Sequence, residues 1–541
     1  MSAAASTARG MEAAGENPFV GATYGSALRD IARRHAANEA LVFGGRRWTF
    51  AQVLAEIDRA AARLHALGLR AGDKLAIWLP NRPEFLWYWL GAAQSGLVAV
   101  VLNTRLKADE AAYQIGQSDS RAVIAPGDGA FRDFLGEIAG IRAQLPELRH
   151  VITLDATAKP DVIDWSGTAP ASLPAAPLAT DPEAPALISY SSGTTALPKG
   201  ALLTHCVFRK AWDIGIRVDL TERDGLLMAI PLFGSMAMMN GVLPFWARGA
   251  TLVLAERFDA AAFVDLASRE RCTMTHLLPP MVLAIADQPG FTPAALSRLR
   301  VGFVLSNDHQ ILAMVADRLG IAGVMTGYGL TESTTVATRN RWDDPREARF
   351  ETQGHALPDV ELKVVDPDTG APRAPGEPGE IWLRGYCIMK GYYKKPAETA
   401  KTIDADGWMH TGDAGVLRAD GRLTFLYRLS EGYKTNGFNI APAEIEAALR
   451  RHPDVADVAV YGRPDPVAGQ VGVACVIPRA GAGVDEAALL AFLRPVLASY
   501  KMPRHVVQVD EFPLTAGTGK VQKFKLRDAV EPRLPKAVLR A

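Results

Sequence analysis

Apolar positions fall into short unbroken runs at 74–79, 98–102 and 122–125, and helical periodicity begins between them at Pro83 and after them at Ala108. A short continuous apolar run reads as a strand buried on both faces, and an intervening helix is the crossover that parallel pairing requires. The same alternation returns at 226–230, 251–254, 273–278, 301–305 and 323–326. It predicts doubly wound sheets, whose ligands lie beyond the carboxyl ends of the strands. From Val360 the texture changes to strands at 360–366 and 380–384 joined by DPDTGAPRAPGEPGE, which predicts a β-rich subdomain. Strands at 457–461 and 471–477 and helices from Ala443 and Asp485 form a separate pattern, with a boundary near Ser430. The expected fold class is α/β: a large N-terminal domain of doubly wound sheets with the β-rich subdomain (19–429) and a small α+β C-terminal domain (430–541), after a disordered tail (1–18).

Bulk composition narrows the function classes. A chain of 541 residues exceeds what one hydrophobic core fills, and 48% apolar residues suffice for more than one. Lys plus Arg number 59, as do Asp plus Glu, so no net field draws a nucleic-acid partner. Cys206, Cys272, Cys387 and Cys475 are scattered without C-x-x-C spacing, which suits buried thiols in a reducing, cytoplasmic setting. Arg9, Glu12 and Glu16 interrupt the start, so no secretory signal is read there. The charge-free stretch 85–104 is broken by Gln94, Ser95 and Gly96 and reads as a buried helix then a strand, so no transmembrane segment is expected.

The chemistry concentrates in YSSGTTALPKG, 190–200. Ser191, Ser192, Thr194 and Thr195 offer hydroxyls, Gly193 and Gly200 let backbone N–H groups approach an oxyanion, and Lys199 adds positive charge. The Walker A spacing is absent, and an ordinary surface turn is built from the same residue types. Further segments follow in order: TGYGLTES at 326–333, GEIWLRG at 379–385, DGWMHTGD at 406–413, a hinge centred on Arg428, GFNIAPAEIE at 437–446 and TAGTGKVQK at 515–523. Together they resemble the signatures of the adenylate-forming (AMP-binding) superfamily, which includes acyl-CoA synthetases, luciferase and the adenylation domains of peptide synthetases. The resemblance runs from about residue 20 to about residue 530.

That resemblance, on its acyl-CoA synthetase branch, implies ATP, Mg²⁺ and CoA as cofactors and a small-molecule carboxylic acid as substrate. It places ATP at the 190–200 loop and at Gly327, Tyr328, Gly329 and Thr331, with Thr331 beside the α-phosphate and Glu332 holding Mg²⁺. A hard cation takes one or two carboxylates plus phosphate and water oxygens, which Glu332 suits; a helix N-terminal Thr-Glu pair is the plainer reading. Asp413 would accept the ribose hydroxyls and Arg428 would add a second ribose contact, against an Asx turn and a surface guanidinium. Lys520 matches the adenylation lysine, whose ammonium offsets charge in the transition state. The C-terminal domain is implied to be mobile, swinging about Ser430, with Gly437 and Phe438 lining a pantetheine tunnel and Lys434 contacting CoA phosphates.

The chain departs from the family pattern at Ala196 in the loop and at Ser430, where a charged pivot is usual. Within PLFGSMAMMN, 231–240, Gly234 follows Phe233 where a ring is common, and Ser306, Asn307, Asp308 and His309 replace a Gly-Gly-Ala-Pro turn. Loss of a ring enlarges a pocket that Met236, Met238, Met239 and Asn307 would line, which predicts a medium- or long-chain or bulky cyclic acid. Methionines that merely fill core are the competing reading. The expected enzyme is an acid–thiol ligase forming acyl-CoA through acyl-AMP. Its alternatives are an acyl-AMP ligase loading a carrier protein and a silent nucleotide-binding scaffold; a homodimer stays open.

Overall fold

Alternate residues of the strand Lys74–Ile77 serve different cores: Leu75 and Ile77 pack into the main core with Leu252 and Phe303, while Ala76 faces a second one with Val100 and Phe134. Side chains alternate faces along a strand, so burial on both faces produces the unbroken apolar runs. The computed structural model describes residues 16–167, 173–191, 197–435, 438–514 and 521–535. Within them lie two seven-stranded sheets.

One sheet runs, edge to edge, Ile163–Asp164, His150–Thr153, Ser120–Ala125, Lys74–Ile77, Val98–Val101, Pro185–Ser191 and Lys199–Thr204; it is parallel except for its last pair. The other runs Gly323–Met325, Val301–Val304, Met274–Leu277, Gly225–Met228, Thr251–Leu254, Glu39–Phe43 and Arg46–Thr49, again antiparallel only at its last pair. The helix Pro83–Gln94 shows no polar stripe because it is buried nearly all round, Trp89 among the fully buried side chains. Stretch 85–104 is thus this helix followed by the strand Val98–Val101, and no described helix is long and apolar enough to cross a membrane.

The β-rich part is a four-stranded antiparallel sheet: Val360–Val365, Pro378–Gly385, Met409–Leu417 and Leu423–Arg428. Its last strand passes through the 3₁₀ turn Leu429–Glu431, which holds Ser430, into a five-stranded sheet built on Val455–Asp465 and Gly469–Pro478. That sheet has its own apolar clusters, around Ile445 and Leu449 on one face and Phe512 and Leu526 on the other. Elements that escape the reading of periodicity include the hairpin Glu39–Phe43 and Arg46–Thr49, the edge strand Lys199–Thr204 and a π-helical stretch at Met236–Val242. Single-turn π-geometry concentrates at functional sites.

Candidate active site

The turn between Gly327 and Thr335 carries the site. It leaves the sheet just past Gly323–Met325, pairs Gly327–Tyr328 with Thr338–Arg339, and tightens into a 3₁₀ turn at Thr331–Ser333. Gly329 is required: a Cβ there would fall 1.6 Å from the Thr335 carbonyl oxygen. Thr334 and Thr335 close the turn with φ of 56° and 76°, a left-handed backbone that non-glycine residues hold only when surroundings over-determine it.

Those surroundings include Lys210. Its ammonium is buried and donates to the Ser333 carbonyl at 2.8 Å and the Thr334 carbonyl at 2.5 Å. Burial pulls its pKa down to about 8. The Thr334 hydroxyl donates to the Cys387 carbonyl at 2.6 Å, and Met389 N–H donates to the Glu332 carbonyl at 2.8 Å, so two segments, the Lys210 helix and 387–389, grip the turn.

Glu332 is itself buried, and its Oε1 accepts from the Tyr392 hydroxyl at 2.8 Å. Burial, and then the Glu332 carboxylate, push the Tyr392 phenol above its ordinary range, so it stays protonated and keeps donating. The Lys199 ammonium sits 4.4 Å from the Tyr392 ring centroid. Tyr392 is held there because 390–393 pairs with the edge strand: Leu202 N–H donates to Gly391 and Tyr393 N–H to Gly200. Glu332 and Lys199 therefore meet through a tyrosine that the sequence did not single out.

Across the same turn, the Tyr328 hydroxyl donates to Asp413 Oδ2 at 2.9 Å, and Arg428 Nη1 donates to Asp413 Oδ1 at 3.1 Å. Asp413 and Arg428 are register partners in neighbouring strands, and Tyr328 stacks on Phe425 at 5.6 Å between centroids. An ionised carboxylate only accepts, with two lone pairs on each oxygen, which suits a diol. Thr331 is half-buried at the head of the 3₁₀ turn.

The residues expected to contact the acid divide. Phe233, Gly234 and Met236 are half-buried, Asn307 is exposed and accepts from Gln353 at 3.2 Å, and Met238 and Met239 belong to the main core. Asp308 caps the helix His309–Ala313 and lies 3.9 Å from Arg450. Ser192, Gly193, Thr194, Thr195, Ala196, Gly437 and Lys520 lie outside the described residues; of Ser191, Lys434 and Phe438 only the backbone is described, in the strands Pro185–Ser191, Tyr433–Thr435 and Phe438–Ile440. The ends of the Lys520 segment meet: Leu514 bridges to Val521, and Gln522 N–H donates to the Pro513 carbonyl at 2.7 Å.

Sequence reasoning missed Tyr392 and Lys210. Lys210 left a signal, since it falls on the buried face of the helix Val207–Arg217 with Val207, Ala211 and Ile214, where a lysine needs acceptors. Tyr392, in the polar run KGYYKKP, left none.

Among the described residues, no group of three or more His, Cys, Asp and Glu side chains forms a cage for a metal. The donor set, one carboxylate held by one phenol, suits a hard cation that draws its other ligands from phosphates and water.

The description "AMP-binding enzyme" matches residues 28–393, and "AMP-binding enzyme C-terminal domain" matches 444–520. The putative acyl-CoA synthetase YngI of Bacillus subtilis (strain 168) is 32% identical, covering 94% of this chain and 97% of that protein. A methyl-dioxo-octahydroindenyl propanoyl:CoA ligase of Mycobacterium tuberculosis is 35% identical over 94% of this chain and 98% of its own length. The solved anthranilate CoA ligase AuaEII in complex with anthranoyl-AMP superposes with a TM-score of 0.84 at 27% identity, covering 94% and 98% of the two chains.

Proposed function

This chain belongs to the AMP-binding family of adenylate-forming enzymes and is an AMP-forming acid–thiol ligase, and from that premise we propose that it activates a bulky or long, largely apolar carboxylic acid as acyl-AMP and passes the acyl group to CoA. In the first step an acid oxygen attacks the α-phosphorus of ATP and the α–β bond breaks, releasing pyrophosphate. In the second the CoA thiolate attacks the acyl carbon and AMP leaves. Neither step needs a protein nucleophile; both need placement and charge compensation.

One observation carries the reading: a single turn, 327–335, holds two polar constellations, Lys199–Tyr392–Glu332 and Tyr328–Asp413–Arg428. The first suits the triphosphate, with Tyr392 orienting the Glu332 carboxylate. Bound Mg²⁺ would supply Lewis-acid neutralisation of the phosphate charge beside Glu332. The second suits the ribose, where Tyr328 and Arg428 fix both Asp413 oxygens. Lys520 is assigned the adenylation step, in a segment whose flanking residues Leu514 and Val521 are bridged. Gly234 leaves room beside Phe233 and Met236 for a large acyl group, and the M. tuberculosis relative is named for a bicyclic propanoyl group, which supports the same size class.

The test is acid-dependent pyrophosphate release across a panel of aliphatic, aromatic and cyclic acids, with and without CoA. Acyl-AMP should accumulate without CoA and turn over to acyl-CoA with it. No acid-dependent release from any acid would overturn the adenylation reading, and preference for acetate or propionate over every larger acid would overturn the size class.

A further inference from the structure

A small cavity lies between the segment Met236–Val242 and the strands Met274–Leu277 and Val301–Val304. It has about 10 Å³ of free space, room for one water-sized group, and is bounded in part by Asn240, His276, Phe303 and Arg339. Three polar side chains reach this space without full partners. Arg339 is 3% exposed, and its Nε and Nη1 make no hydrogen bond. Asn240 Oδ1 and His276 Nδ1 are buried and equally unsatisfied, while Asn240 Nδ2 turns to the Met236 sulfur at 3.0 Å.

A guanidinium this deep is normally matched by a carboxylate. Here its guanidinium carbon lies 4.5 Å from the Phe303 ring centroid, and the charged group acting on it is a second cation, Arg217. Burial, then Arg217, lower the Arg339 pKa to about 9, and burial, then Arg339, hold His276 down at about 3, so the imidazole is neutral. The charge at this point is uncompensated, and two Arg339 donors without a partner belong to a side chain that lines a space able to fit an oxygen.

Two of the cavity's lining residues, Asn240 and Phe303, neighbour the two halves of the site. Asn240 lies on the segment that carries Met236, close after Phe233 and Gly234. On the other side, Gly327 packs against Phe303, whose ring would stand 3.4 Å from a Cβ at that glycine.

We propose that this cavity is the far end of the acid pocket, and that Arg339 selects acids bearing a second oxygen acceptor, an oxo group or a carboxylate, at the end remote from the carboxyl being activated. The proposal rests on the acyl-adenylate reading above and sharpens its substrate class. A single ordered water bonded to Arg339 is the competing occupant.

The experiment compares three acids of matched frame with the full-length enzyme, ATP and CoA: unsubstituted, distal oxo and distal carboxylate. The readout is the ratio of kcat/KM for each oxygen-bearing acid to that for the unsubstituted one, which cancels any difference in folded fraction. The wild type should favour one oxygen-bearing acid, and Arg339→Met should lower that ratio about 10–100-fold, the worth of a hydrogen bond to a charged donor. If the dicarboxylate leads, Arg339→Lys retains part of the preference; if the oxo acid leads, Arg339→Gln does. A wild-type ratio of one or less for both acids, or a ratio unchanged in Arg339→Met, overturns the proposal and leaves the cavity to water. Turnover of the unsubstituted acid with no discrimination overturns this inference alone. Turnover of no acid at all overturns the adenylation reading with it.

Discussion

Replacing Lys210 with methionine separates two effects that the structure sets against each other. The side chain is fully buried, and its pKa of about 8 against an ordinary 10.5 means that holding the charged form inside costs about 3 kcal/mol. Methionine removes that cost but leaves the Ser333 and Thr334 carbonyls without their donor, at about 1–3 kcal/mol each. The net loss of stability is therefore small, at most about 3 kcal/mol. Activity should fall further, because the left-handed pair Thr334–Thr335 behind Glu332 loses its clamp; about 10–100-fold in kcat/KM for ATP is expected. The sign with pH follows from proton counts. Between about pH 8 and the ordinary lysine value the folded protein holds fewer protons on Lys210 than the unfolded chain does, so wild-type stability rises with pH there. The variant lacks this group, so the wild-type-minus-variant difference in Tm should grow from pH 7.5 to 9.5. Pyrophosphate release per folded enzyme and thermal unfolding at both pH values provide the assay. Full activity per folded molecule, together with a Tm difference that is flat in pH, would refute both halves of the argument.

Tyr392→Phe deletes the hydrogen bond that orients Glu332; kcat should drop about 10-fold and the Mg²⁺ concentration for half-maximal activity should rise, read from a metal titration. Arg428→Gln removes one of the two groups fixing Asp413, and KM for ATP should rise about 10-fold while AMP affinity weakens in calorimetry; an unchanged affinity would remove Arg428 from the ribose site. Lys520→Ala should abolish acyl-AMP formation while thioester formation from supplied acyl-AMP largely survives, and equal loss of both steps would argue against a lysine confined to adenylation. Gly234→Phe should shift preference toward short acids, measured as an approximately 10-fold lower kcat/KM for the largest good substrate, taken as a ratio to that for a short acid so that any loss of folded enzyme cancels.

Many of the buried strands and the order of the motif turns were legible in the amino-acid sequence because each depends on local rules. A strand buried on both faces must be apolar throughout, as 75–79 and 98–102 are, and a position approached as closely by neighbouring backbone as Gly329 must be glycine. Tertiary structure decided what those rules do not reach. The hairpin Glu39–Phe43 and Arg46–Thr49 joins the second sheet beside Thr251–Leu254, far along the chain, because apolar faces find partners by packing and not by proximity in sequence. The same assembly carried Lys210, Tyr392 and Arg339 to Glu332, Lys199 and the cavity at Asn240. A lone polar residue carries no information about its partner until burial forces it to find one, and that pairing is set by the folded chain.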